Sequence, residues 1–272
     1  MANKTASRAE HSKVTQGLGR AGMACFGLVH LVVAYLAVQV AFGDSGGQSA
    51  DQRGALAEIG SSGFGKVVLW VLAVGLIAFG LWQFLMAAKG YGWVQKKRKR
   101  ITKRIGSGAR GVVVIGLGIS AIKIASGSGG GSGGNGKQQE FTAKLLSLPA
   151  GRVLVAIAAA IVLGVAVAAA VKGFKKSFLD DLNINELPAG TQQWVKRLGM
   201  AGYFAKAVVF AIVAVLIGIA ALSSDAAKAG GLDAALRTLA AQPFGPYLLT
   251  VVALGLAAFG VYCFAAARSH KS

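Results

Sequence analysis

Few residues in this 272-residue chain could do chemistry, and they stand far apart. There are ten carboxylates, three histidines and two cysteines. No HExxH, CxxC, phosphate-cradling GxxxxGK[ST] or Ser/His/Asp set occurs. Gly17-x-Gly19-x-x-Gly22 matches the dinucleotide fingerprint. No strand precedes it and an apolar run follows, so that reading is discarded. No metal, cofactor or catalytic set is expected, and the chain does not read as an enzyme. His11 and His270 sit in polar tails, whereas His30 lies near the middle of an apolar run. It reads as a neutral imidazole bonded to nearby backbone or hydroxyl, or as a haem or quinone ligand. A single histidine at that depth excludes bis-His haem within one chain. Cations are the other candidates. Arg110 and Lys206 are either snorkelling side chains or, with Arg20 and Arg104, a basic vestibule for phosphate-bearing lipid or another anion. Lys96, Lys97, Arg98, Lys99 and Arg100 form the densest basic cluster. They read as contacts to anionic lipid, at about 1 kcal/mol per residue near the surface, or as topology signals alone.

The elements that must position these residues are membrane spans. The chain is 54% hydrophobic and 14% charged, with mean hydropathy +0.59; a soluble domain carries roughly 25% charged residues. The net charge of +19 would suggest nucleic acid in a soluble protein. Here the basic residues flank apolar runs, which is the positive-inside pattern, and no nucleic-acid partner is expected. Six runs approach the ~20 residues a bilayer needs: 21–42, 67–88, 111–125, 153–171, 202–222 and 247–267. The first outlasts the apolar core of a signal peptide, so it is expected to be retained. The third looks short, with Arg110 and Lys123 reaching opposite faces. The fourth carries Ala156, Ala160, Gly164 and Ala168 at four-residue spacing, a close-packing face, and reads as the most protein-enclosed span. All ten acids fall outside these runs, so no carboxylate stands at membrane depth for proton or sodium coupling. Cys25 and Cys263 read as small buried apolar residues. Segments around Leu56, Leu145 and Leu236 have the apolar spacing of short surface helices. Residues 126–137 read as a flexible glycine-rich linker.

An internal repeat organises these spans. Gly75-Leu76-Ile77-Ala78-Phe79-Gly80 returns as Gly255-Leu256-Ala257-Ala258-Phe259-Gly260, each at one distance after a Phe-Gly pair. Pro149-Ala150-Gly151 and the run after it form a weaker third copy. Gly22, Gly106 and Gly202 stand four residues before Phe26, Arg110 and Lys206, and small residues follow at Gly27, Gly111 and Ala207. The unit is a span, an outer amphipathic segment, a tight turn and a second span, over roughly 17–93, 101–178 and 195–268. A two-span unit returns to its starting side, so the repeats are parallel around a pseudo-threefold axis. The expected fold is an all-α membrane protein of six transmembrane helices in three two-helix repeats.

On these residues, together with Arg20-Ala21-Gly22, Gly106-Ser107-Gly108-Ala109-Arg110-Gly111, Gly202-Tyr203 and Gln242-Pro243-Phe244-Gly245, the chain resembles a bacterial membrane family known as domain of unknown function 1206. The resemblance implies three tandem two-helix repeats and a bacterial plasma-membrane location. It implies no activity, substrate or catalytic residue. The expected function is a non-catalytic accessory protein that binds anionic lipid headgroups or joins a larger membrane complex. A small pore or uncoupled carrier for an anion or small solute along the axis is the alternative.

Counting Lys and Arg over the short loops puts both termini in the cytoplasm. Labelling Lys97→Cys in intact cells checks this: the thiol should react with a membrane-impermeant reagent only after lysis, and labelling from outside would refute the topology.

Overall fold

The computed structural model describes residues 2–43, 49–92, 94–128, 134–183 and 188–269, without the side chains of residues 2–16, 18, 134, 135 and 189. The side chain of His11, all of His270 and residues 129–133 of the glycine tract therefore lie outside what is described. The chain is all-helical. Helices α1 (Ala2–Ala41), α3 (Gly63–Lys89), α4 (Lys97–Ala125), α6 (Gly151–Phe174), α7 (Ala189–Ser223) and α9 (Gly245–Ser269) are long and apolar enough to cross a bilayer. Between the two spans of each repeat lies a shorter helix: α2 (Gln52–Gly60), α5 (Gly134–Leu146) or α8 (Leu232–Ala240).

In lipid, nothing apolar is gained by pushing two apolar helices together, so they associate where small residues let backbones approach. The repeats meet through such crossings. A Cβ built on Gly27 of α1 would lie 2.8 Å from the Gly260 carbonyl oxygen of α9, and one on Gly260 would lie 2.9 Å from that of Gly27. Gly80 of α3 and Gly111 of α4 relate in the same way, at 3.1 Å in each direction. The corresponding residues of α6 and α7, Ala166 and Ala207, are both buried. The spans therefore pack in the order α4, α3, α1, α9, α7 and α6, and the two at the ends, α4 and α6, do not pack against each other.

The three short helices cap the end away from the Lys96 cluster. Asp51 starts α2, its carboxylate accepting from the Arg53 and Gly54 amides at 2.9 and 2.7 Å. Asp233 of α8 accepts from the Ala50 amide at 2.7 Å and from Arg237, tying the first repeat's cap to the third's. Leu56 and Leu236 are fully buried beneath these helices. The second repeat differs, since Phe141 of α5 and Leu148 just after it are exposed. Each capping helix turns straight into the next span at Gly65, Gly151 or Gly245, where an added Cβ would strike a carbonyl oxygen of the preceding turn. Ala150 and Phe244, before two of these glycines, have left-handed backbones (φ 59° and 58°).

Three expectations are corrected. The third span is not short: α4 continues toward the N-terminus through the basic cluster to Lys97. Helix α5 takes up Gly134, Gly136 and Lys137 from the expected linker. Most consequentially, α6 is the least enclosed of the six spans. Its ridge of Ala156, Ala160, Gly164 and Ala168 faces outward, and a Cβ on Gly164 would meet nothing within 4 Å. Small size permits close packing but does not say which side a partner will occupy.

The crossings and the open ridge predict opposite responses. Gly27→Val should lower stability by about 1–3 kcal/mol, as overpacking does. Gly164→Val should leave the melting temperature in detergent unchanged, and scanning calorimetry on both variants checks the contrast.

Candidate functional site

At the basic end the helices enclose a cavity of about 80 Å³, room for a few water molecules or one small anionic group. Its floor is aromatic. Phe26 of α1, Phe79 of α3 and Phe259 of α9 meet there, with Phe26 5.8 Å from Phe79 and 6.5 Å from Phe259 between ring centroids. Tyr203 of α7 sets its ring edge-on to Phe259 at 5.6 Å. These rings replace the small residues of the helix crossings one turn away and fill the space where the spans diverge.

Three cations line the cavity: Arg110 from α4, Lys172 from α6 and Lys206 from α7. Among the described residues none of the three forms an ion pair. Lys206 Nζ instead lies 3.9 Å from the centre of the Phe259 ring and 5.7 Å from that of Phe26, and Lys172 Nζ lies 5.2 Å from that of Tyr203. Ring faces attract a cation by about 0.5–1 kcal/mol at exposed sites and about 2 kcal/mol or more when desolvated, and they do not neutralise it. Like charges converging where little water enters repel unless an anion joins them. Among the described residues the one carboxylate in the wall, Asp181, is taken already by Lys103 of α4 at 2.5 Å.

That pair belongs to a strap. After α6 the chain reverses at Lys176 (φ 52°) into a 3-10 turn at Ser177–Asp181. Lys99 and Lys103, one helical turn apart on α4, bind Asp180 and Asp181. Phe178 points inward and is buried against Tyr203 and Tyr262, 5.3 Å from each centroid. A Cβ on Gly199 would strike its ring. The Asn183 amide then bonds the Ser269 carbonyl of α9 at 2.6 Å. The strap thus joins α6, α4 and α9 across the basic end.

The expected site residues separate into four groups. Arg110 and Lys206 share the cavity, and the structure adds Lys172, whose repeat equivalents Met86 and Ala266 are uncharged. Repeat alignment cannot find a residue that one repeat alone possesses. Arg20 is exposed and Arg104 donates to the Gly90 carbonyl at 3.3 Å; neither lines the cavity. In the basic cluster, Lys99 serves the strap and Arg100 donates twice to the Val94 carbonyl, while Lys96, Lys97 and Arg98 are exposed. His30 is buried behind the floor, its Nδ1 donating to the Phe26 carbonyl at 2.9 Å and its ring packed between Phe26 and Phe259. One ring nitrogen thus has a backbone partner, the kind of bond the neutral-imidazole reading describes. Gly19 and Gly22 of the dinucleotide-like motif are helical and lie against Trp82 and Phe79. Cys25 and Cys263 are unpaired, one beside Gly75 and the other beside Gly27.

Fold and site together define a six-span helical membrane protein of three tandem repeats with a basic chamber closed by one strap. A family model described as Domain of Unknown Function (DUF1206) matches residues 21–90, 105–176 and 201–270, one match per repeat. The chain belongs to that family. It is also similar to the uncharacterized protein YxxB of Bacillus subtilis (strain 168), 28% identical over 244 residues that cover 90% of this chain and 87% of that protein. No solved structure matches.

The strap's two ion pairs are unequal. Lys99 and Asp180 are about half exposed, and such pairs contribute only about 0–1 kcal/mol. Lys103 and Asp181 are nearly enclosed. Asp181→Asn should therefore speed tryptic cleavage after Lys175 and Lys176 well beyond the effect of Asp180→Asn, as a time course of limited proteolysis would record.

Proposed function

We propose that this protein is a non-catalytic membrane protein that holds a phosphate-bearing anionic group in its basic chamber. One observation carries the reading: Arg110, Lys172 and Lys206 converge on a single cavity and, among the described residues, form no ion pair with a carboxylate. Guanidinium and ammonium groups in partly dry surroundings make their strongest hydrogen bonds to phosphate and carboxylate oxygens. Lys96, Lys97 and Arg98 are exposed at the start of α4, the helix that carries Arg110 and the strap's partner Lys103, so an anionic membrane surface would concentrate such groups at the basic end. The neighbouring side chains offer positioning and no obvious transformation. Tyr203, Tyr262 and Phe259 present ring faces and edges, and Asp181, the carboxylate in the wall among the described residues, is occupied by Lys103. With the basic end toward the cytoplasm, the group bound would be one of the inner leaflet. The aromatic floor, with the His30 ring packed behind it, weighs against the pore alternative, because these packed rings lie between the chamber and the capped end.

A bound anion that prefers the folded state raises stability by mass action, about 2.7 kcal/mol at a hundredfold excess over Kd. Cardiolipin added to the detergent-solubilised protein should therefore raise the melting temperature of wild type. The same addition should move the Arg110→Gln/Lys206→Gln variant much less. Equal shifts in the two proteins would overturn the reading and assign the effect to the exposed cluster at residues 96–100.

A further inference from the structure

The three repeats are not equally closed. In the first and third, the two spans of one repeat cross closely. Gly22 of α1 lies against Gly75 and Phe79 of α3, and Gly202 of α7 lies against Phe259 of α9, so neither glycine could carry a Cβ. In the second repeat α4 and α6 do not pack along their length. Gly106, the counterpart of Gly22 and Gly202, would meet nothing within 4 Å. The sequence explains the separation. Ile161 stands where the other repeats have Gly75 and Gly255, so α6 cannot approach as they do. Val165 replaces Phe79 and Phe259 and is too small to fill what remains. Exposure follows: Val29 and Val209 are 0% and 3% exposed but their counterpart Val113 is 61%, and Phe79 and Phe259 are 1% and 5% but Val165 is 47%. The ring wall thus has an apolar slot between α4 and α6, open sideways to the membrane interior. One unpaired cation stands on each wall at its basic end, Arg110 on α4 and Lys172 on α6. The strap bridges the two helices beyond that point.

We infer that the α4–α6 slot is the seat of an anionic phospholipid, which reaches the chamber sideways from the bilayer. Its phosphate lies between Arg110 and Lys172 with Lys206 behind, and an acyl chain lies along Val113, Ile161 and Val165. The occupant follows from complementarity. An apolar slot with two cations at one end fits an amphiphile with one anionic end and a flexible aliphatic tail. A helix of another protein would have to bring a carboxylate to the same depth, and a second copy of this basic chain would bring more positive charge. This inference rests on the anion-binding reading above and adds the source of the anion and its route.

The test separates the two. In detergent, dioleoyl phosphatidylglycerol, dioleoyl phosphatidylcholine and soluble glycerol 3-phosphate are compared as stabilisers of wild type, Val113→Trp/Val165→Trp and Arg110→Gln/Lys172→Gln. Filling the slot should weaken the response to phosphatidylglycerol roughly tenfold while leaving the smaller response to glycerol phosphate intact. The charge variant should lose both. A full phosphatidylglycerol response in the filled variant would overturn the slot and leave the chamber standing. An unchanged response in the charge variant would overturn the chamber itself. Equal stabilisation by phosphatidylcholine, or by glycerol phosphate alone, would also overturn the lipid assignment. A second measurement needs no variant: wild type photolysed with phosphatidylglycerol carrying a diazirine on its acyl chain should be labelled on α4 and α6 near residues 113 and 165. Labelling confined to the other spans, or native mass spectra showing a protein chain seated there instead of lipid, would refute the proposal.

Discussion

Close approach of helix backbones at small residues is the constraint on which this fold depends. Within a bilayer the apolar side chains gain nothing by leaving lipid for protein, so packing contacts alone hold the spans together. The glycine pairs at Gly27–Gly260 and Gly80–Gly111 bring successive repeats within reach of each other's carbonyls. Ala166 and Ala207 hold the same positions at the remaining junction. Once the backbones are this near, the large residues must fit where the helices diverge. Phe79, Phe259 and Tyr262 are buried there because the crossings leave room for them and for little else.

The chamber is a consequence of that geometry and of unequal repeats. Three equivalent positions on α1, α4 and α7 point toward one region, and they hold Phe26, Arg110 and Lys206. The aromatic member receives the charge of Lys206 on its face, which softens the cost of a cation at that depth. Lys172 enters from a helix whose counterparts carry uncharged residues. The second repeat thus supplies Arg110 and Lys172, the strap, and the missing helix crossing. Where the internal symmetry fails, charge and an opening occur together.

The strap shows how a short polar segment can order a membrane bundle without adding a span. Buried Phe178 anchors it by packing, the Lys103–Asp181 pair by charge in a nearly enclosed setting, and the Asn183–Ser269 bond by backbone pairing. Its ends fall on α4, α6 and α9, so it closes at the basic end a wall that the helices leave open within the membrane.

Much of this was legible in the residues alone. Apolar run length and charge composition reveal six spans, because a bilayer demands both and a soluble core demands neither. The repeated GLxAFG segments and Phe-Gly turns reveal the three units, and helical spacing reveals the capping helices near Leu56 and Leu236. Arg110 and Lys206 could be paired from their shared place in the repeat. The orientation of α6 could not be read: a ridge of small residues marks a surface able to pack, while only the neighbouring helices decide whether it does. Nor could Lys172 be read, since a residue absent from the other repeats has no internal counterpart to mark it. The open slot needed the tertiary structure too. It arises from the distance between α4 and α6, which Ile161 and Val165 set jointly with every crossing around the ring.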